Sequence, residues 1–245
     1  MDAECIREIV NLAQPYICDE NLGEGNFIVS KDGKITQIHS DFVTPSLVLL
    51  HSLDGLVKMV NNEAPLSKMK MFIKTESCTE VTAFSTPDQD QRDERHYFYT
   101  ARAADIPGWE PVVKLSYEEA IIAIRTRFAP SADTEYMLKL LSEITNGAKI
   151  TCNDNGIATT VVTQKGVALQ SGVQIRPIVT LRPYRTFHEL EQPECQFLIR
   201  ISERGISFIE ADGGMWKLEA RKRIVEYLEE HLMELIDGGN VVVML

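Results

Sequence analysis

Apolar positions recur at spacings of three and four in several stretches of the chain. Residues 2–13 place Ile6, Ile9, Val10 and Ala13 on one face, and Pro15 ends that helix. Thr44-Pro45 opens a helix over 44–61, with threonine as cap and Leu47, Leu50, Leu53, Val57 and Val60 as its stripe. Ser116 and Glu119 form a capping box, and the helix runs through Ile121, Ile122, Ile124 and Phe128 to Pro130. Asp133 caps a further helix over 134–145, stopped by Asn146-Gly147. The last helix spans about 215–235, with Trp216, Ala220, Ile224, Tyr227, Leu228, His231 and Leu235 facing the core and Asp212 as its cap.

Between these stretches the pattern changes to alternation, the period of strands. Residues 26–30 and 34–39 flank Lys31-Asp32-Gly33, a hairpin turn. Residues 68–74, 80–85 and 96–103 form a meander whose solvated loop, 86–94, has no large apolar side chain. Residues 148–152 and 157–163 make another hairpin. Residues 173–182 put Val173, Ile175, Val179 and Leu181 on one side, with Ile178 as an apolar exception and Pro177 and Pro183 pushing the strand toward an edge or bend. Residues 196–202 and 206–209 pair across Glu203-Arg204-Gly205, and the tail 241–245 adds a last edge strand or a subunit contact. Together these predict an α+β fold: antiparallel sheets with helices, closed by a C-terminal helix packed on a sheet. The organisation divides into an N-terminal α+β region, 1–114, and a C-terminal α+β domain, 115–245, with Trp109 covering the junction.

Composition narrows the chemistry. A net charge of −11 disfavours wrapping a nucleic-acid backbone, which relies on lysine and arginine to release counterions. The five cysteines are widely spaced and form no zinc pattern or disulfide framework. The acidic N-terminus is no signal peptide, and no apolar run spans a bilayer, so a reducing cytoplasm is expected. No GxSxG, P-loop or HExxH is present, and His188-Glu189-Leu190-Glu191-Gln192 lacks a second histidine. Asp154, Glu210 and Asp212 are carboxylates that a divalent metal would need, but turn and cap positions give two of them structural roles. The expectation is a binding protein rather than an enzyme, with no cofactor and no metal.

The densest chemistry lies in 182–223. Arg182, Arg185 and Arg200 stand among strands, while Gly213-Gly214 and Arg221 lie at or near the start of the last helix. Together they define a candidate anion site built from guanidinium forks and helix-terminal N–H groups. The structural alternative pairs Arg185 with Glu189, Glu191 or Glu210 to brace the reversal at Pro183. Tyr184, Phe187, Asp212 and Trp216 form a joint where sheet hands over to helix. On this helix cations precede anions, against its dipole, with Glu219–Arg223 and Lys222–Glu226 as offsetting pairs.

RPYRTFHELEQPECQF (182–197) and FIEADGGMWKLEARKRIVEYLEEHL (208–232) resemble the C-terminal hallmark of the YfdQ-like family of uncharacterised phage and prophage proteins, a domain of unknown function. Weaker likeness reaches back through HYFYTA (96–101) and CNDNGIATTVVTQKGVAL (152–169), covering about 95–235. The resemblance implies a phage or prophage origin and action in the bacterial cytoplasm, and carries over no catalytic residue. The expected function is a homo-oligomeric binding protein acting on a host or phage macromolecule. The alternatives are a nucleic-acid-handling accessory of phage recombination and a binder of an anionic nucleotide.

Overall fold

The structure, a computed structural model, describes residues 46–67, 69–87, 95–145, 175–202 and 204–245. It also gives backbone strands alone at 16–17, 26–29, 35–38, 149–154, 159–165, 168–169 and 173–174. The fold is α+β. Strands β1 (Tyr16–Ile17), β2 (Asn26–Val29) and β3 (Ile35–Ile38) form a small antiparallel sheet, and β10 (Lys149–Asp154), β11 (Thr159–Lys165), β12 (Ala168–Leu169) and β13 (Val173–Gln174) form another. The predicted helix over 2–13 and the loop at 88–94 lie outside the described residues.

Two five-stranded sheets carry the described cores. The first has the order β17-β5-β6-β7-β4, from β17 (Val241–Met244), β5 (Met71–Thr75), β6 (Glu80–Ser85), β7 (Tyr97–Arg102) and β4 (Val48–Leu50). Its middle three strands are an antiparallel meander, while β17 and β4 join in parallel at the two edges. Alternation sends Met71, Ile73, Val81, Ala83 and Ala101 inward, onto Leu53, Leu56 and Val60 of α1 (Leu53–Glu63) and Ile224 and Leu228 of α4 (Met215–His231).

The second sheet has the order β8-β16-β15-β14-β9, from β8 (Val112–Leu115), β16 (Gly205–Glu210), β15 (Cys195–Ser202), β14 (Ile178–Pro183) and β9 (Phe128–Ala129). It packs Val179, Leu181, Phe197, Ile199 and Phe208 against α2 (Tyr117–Arg127) and α3 (Ala132–Thr145). Each such large apolar side chain removed from water contributes roughly 1.5–3 kcal/mol. Gly205 is required in the β15–β16 turn, since a Cβ there would lie 2.1 Å from the Leu115 carbonyl oxygen.

Several expected features are present. Ser116 and Glu119 form the capping box, the Ser116 N–H donating to Glu119 Oε2 at 2.9 Å. Those donors hold the Glu119 carboxyl below its usual range. Val179 and Leu181 are buried and Ile178 is exposed, as the alternation requires. Trp109 packs edge-on against Phe128 and Phe208. Glu219 and Arg223 pair at 3.1 Å across one helical turn. The tail forms the edge strand β17.

Other features differ. The helix read over 44–61 begins only at Leu53, where Ser52 Oγ accepts from the Gly55 N–H at 3.0 Å, and Val48–Leu50 is a strand. Leu47, read as core, is 52% exposed. The run 47–50 is continuously apolar, which suits a strand as well as a helix, and the free edge of β7 decides it. Asp133 does not cap α3. Ser131 Oγ accepts from the Thr134 N–H, and Asp133 instead accepts from the Thr180 N–H at 2.7 Å, tying α3 to β14. Phe128 leaves the helix to pair with Pro183. The closing helix breaks at Leu232, followed by α5 (Met233–Asp237), and His231, read as core-facing, is exposed with its ring stacked on Tyr227. Strands β8 and β9 had no strong signal, because four- and two-residue strands give no measurable period.

Candidate functional site

The connection 184–194 between β14 and β15 is the seam of the molecule. Its organiser is buried Gln192, whose Oε1 accepts from the Arg185 and Thr186 N–H groups at 2.9 and 3.2 Å. Its Nε2 donates to the carbonyls of Phe187 and Leu190 at 3.1 and 3.2 Å. One amide therefore satisfies two backbone donors and two acceptors that folding removes from water. The shaped loop drives Phe187 and Leu190 into the first core, and Thr186 Oγ1 donates to the Cys78 carbonyl in the β5–β6 turn. Glu189 caps α1 from 136 positions away, its Oε1 accepting from the Leu53 N–H at 2.7 Å. Helix α4 completes the seam, with Trp216 in the second core and Ile224 and Leu228 in the first.

The joint residues meet here. Gly213 and Gly214 take left-handed φ of 65° and 82°, turning the chain so that Asp212 reaches back over the helix start. Asp212 Oδ1 accepts from the Gly214 N–H at 2.9 Å and Oδ2 from the Trp216 N–H at 3.1 Å. An anion at this terminus would have to displace that carboxylate. Trp216 Nε1 donates to Glu210 at 3.4 Å. Tyr184 donates its backbone N–H to the Arg127 carbonyl, and its ring lies 5.7 Å from that of His188.

The candidate anion residues do not share one opening. Arg185 is 4% exposed, its guanidinium 4.4 Å from the Trp216 ring centroid and 5.6 Å from that of Phe197. Its Nη2 lies 2.5 Å from Glu210 Oε1, off the hydrogen-bond line, so charge and ring faces hold it rather than aligned N–H bonds. Arg182 is clasped by Glu191 and by Glu194, the latter at 2.6 Å. Arg200 alternates onto the face of β15 opposite Phe197, so the sheet separates it from Arg185. Arg221 is half-buried on α4, where it, Lys217 and Arg185 act on the Cys78 thiol; burial is the larger influence and pushes that thiol up.

The Cys195 thiol, Glu210 and Asp212 bring donor atoms within 4.8 Å of one another. This set does not suit a cation. Both Asp212 oxygens already accept backbone N–H groups, Glu210 faces the Arg185 charge, and burial pushes the Cys195 thiol up to about 12. The neighbouring cleft, lined by Glu194, Asp212, Glu219 and Lys222 among others, holds more carboxylates than cations. The Asp154 side chain lies outside the described residues.

A second surface emerges on the outer face of the first sheet. Phe72, Phe84 and Tyr97 stand in one row across β5, β6 and β7, with ring centroids 5.8 and 5.7 Å apart. No described helix covers them, and Tyr97 is 54% exposed. Arg95 lies over the rings of Phe84 and Phe72 at 5.4 and 5.7 Å, anchored by a 2.9 Å bond from Nη1 to the Ser85 carbonyl. It has no carboxylate partner among the described residues, whereas Lys74 pairs with Glu76 and Arg102 with Glu80. The three rings, Arg95, Lys74, Glu76 and Met244 line a cleft of about 320 Å³. Sequence reasoning passed over this row because alternation names its residues without saying which face the helices leave open. At the β4 edge, Leu47, Val48 and Leu49 are also exposed. Among the described residues no helix is long and apolar enough to cross a membrane. No family model, curated protein or solved structure matches the chain.

Proposed function

We propose that this chain is a non-enzymatic binding protein of phage or prophage origin, acting in the bacterial cytoplasm on a host or phage macromolecule and assembling with copies of itself. The observation that carries the reading is the aromatic row of the first sheet. Three rings and a positioned arginine on a face that no described helix covers form a recognition surface, whereas scattered surface apolar groups do not. Self-assembly is supported by the apolar edge strand Val48–Leu50, where Val48 and Leu49 are exposed and no described strand pairs with the outer side. Binding at Arg182, Arg185, Arg200 and Arg221 is the weaker alternative, since Arg182 and Arg185 already face carboxylates.

The test uses wild-type protein and Tyr97→Glu as baits in extracts of infected bacteria, with the solution mass of each measured. Wild type is expected to retain a partner that the variant loses, at equal melting temperature. Recovery of identical material by both baits would remove the aromatic face from the function.

A further inference from the structure

Resting on the reading that the aromatic face is the binding surface, we infer that its occupant is a single-stranded nucleic acid lying across β5, β6 and β7. The surface offers planar groups. Tyr97 exposes about half its surface, and the exposed Arg95 guanidinium, 5.4 and 5.7 Å from the Phe84 and Phe72 centroids, is a second planar group beside it. Bases stack on aromatic rings and on guanidinium planes alike, whatever their sequence. To stack on Tyr97 or on the Arg95 guanidinium, a base must leave its neighbours in the stack and any pairing partner. A single strand can do this and a duplex cannot.

Charge points the same way and limits the affinity. Lys74 and Arg102 are neutralised by Glu76 and Glu80, whereas Arg95, beside the rings, has no carboxylate partner among the described residues. One phosphate contact gives a salt slope of only about −0.7 on logarithmic axes. Binding is therefore carried mainly by stacking, and a net charge of −11 does not oppose it as it would oppose backbone wrapping. A protein surface is the poorer fit, since a second copy covering this face would bury the Lys74–Glu76 and Arg102–Glu80 ion pairs.

The experiment is fluorescence anisotropy of the full chain with fluorescein-labelled oligothymidylate and oligouridylate of about eight nucleotides, and with a duplex of equal length. The expected result is single-strand binding at low salt, duplex binding at least tenfold weaker, and a shallow salt slope that Arg95→Gln abolishes. Tyr97→Ala should weaken binding at least about fivefold while Tyr97→Phe retains it, the range of one lost base stack. The two oligonucleotides distinguish DNA from RNA as the source. No binding by either single strand, or binding indifferent to Tyr97→Ala, overturns the inference. If the infected-cell partner is then still lost with Tyr97→Glu, the face binds something other than nucleic acid and the function above stands. If that partner is also unaffected, both fall.

Discussion

Two of the arginines set over aromatic rings, Arg185 and Arg95, are in opposite circumstances. Arg185 lies against Trp216 and Phe197 with Glu210 beside it and almost no contact with water. Arg95 lies exposed against Phe72 and Phe84 on a face that no described helix covers, held by one carbonyl and paired with no described carboxylate. The same chemical parts are structural in one place and available in the other. Burial and a built-in countercharge make the difference. A buried cation whose partner is removed costs far more than an exposed one, because water cannot replace the partner.

Substitutions test that contrast directly. The largest effect is expected for Arg185→Ala, which strands Glu210 and should cost about 3–5 kcal/mol in denaturant unfolding. The double substitution Arg185→Met with Glu210→Leu should lose less than Arg185→Ala alone. Equal losses would show that the stranded charge is not the cause. Next comes Gln192→Leu, which leaves the Arg185 and Thr186 N–H groups without acceptors and should cost about 1–3 kcal/mol. A melting temperature equal to wild type would mean that the seam is not organised by this amide. Smallest is Arg95→Gln, expected to change unfolding free energy by less than about 1 kcal/mol, since its ring contacts are exposed. A loss comparable to that of Arg185→Ala would erase the contrast and make Arg95 a structural residue too.

The parts of the fold that local chemistry dictates were legible in the sequence. The Ser116–Glu119 capping box, the β15–β16 hairpin, the Asp212 cap and the Trp216 to Leu228 stripe each rest on neighbours a few residues apart. What could not be read depends on distant partners. Val48–Leu50 is a strand because β7 presents an edge to it, and Asp133 leaves its cap position because Thr180 offers a donor. Glu189 serves a helix 136 residues away. The same division holds at the candidate site. Glu210 stood among the partners considered for Arg185, whereas Gln192 carried no sequence signal, since a glutamine in a loop reads as solvated until its four partners are in place.

The parallel pairing of β17 with β5, together with the packing of α4 on the same sheet, also bears on how the protein is made. Residues 215–244 supply an edge strand and part of the inner cover to a meander synthesised well over a hundred residues earlier. While those residues are still inside the ribosomal tunnel, Met71, Ile73 and Val81 lack part of their cover, and the outer edge of β5 stands open. The first sheet can therefore be completed only once residues 215–244 have left the ribosome, and until then its apolar surface is of the kind that chaperones shield.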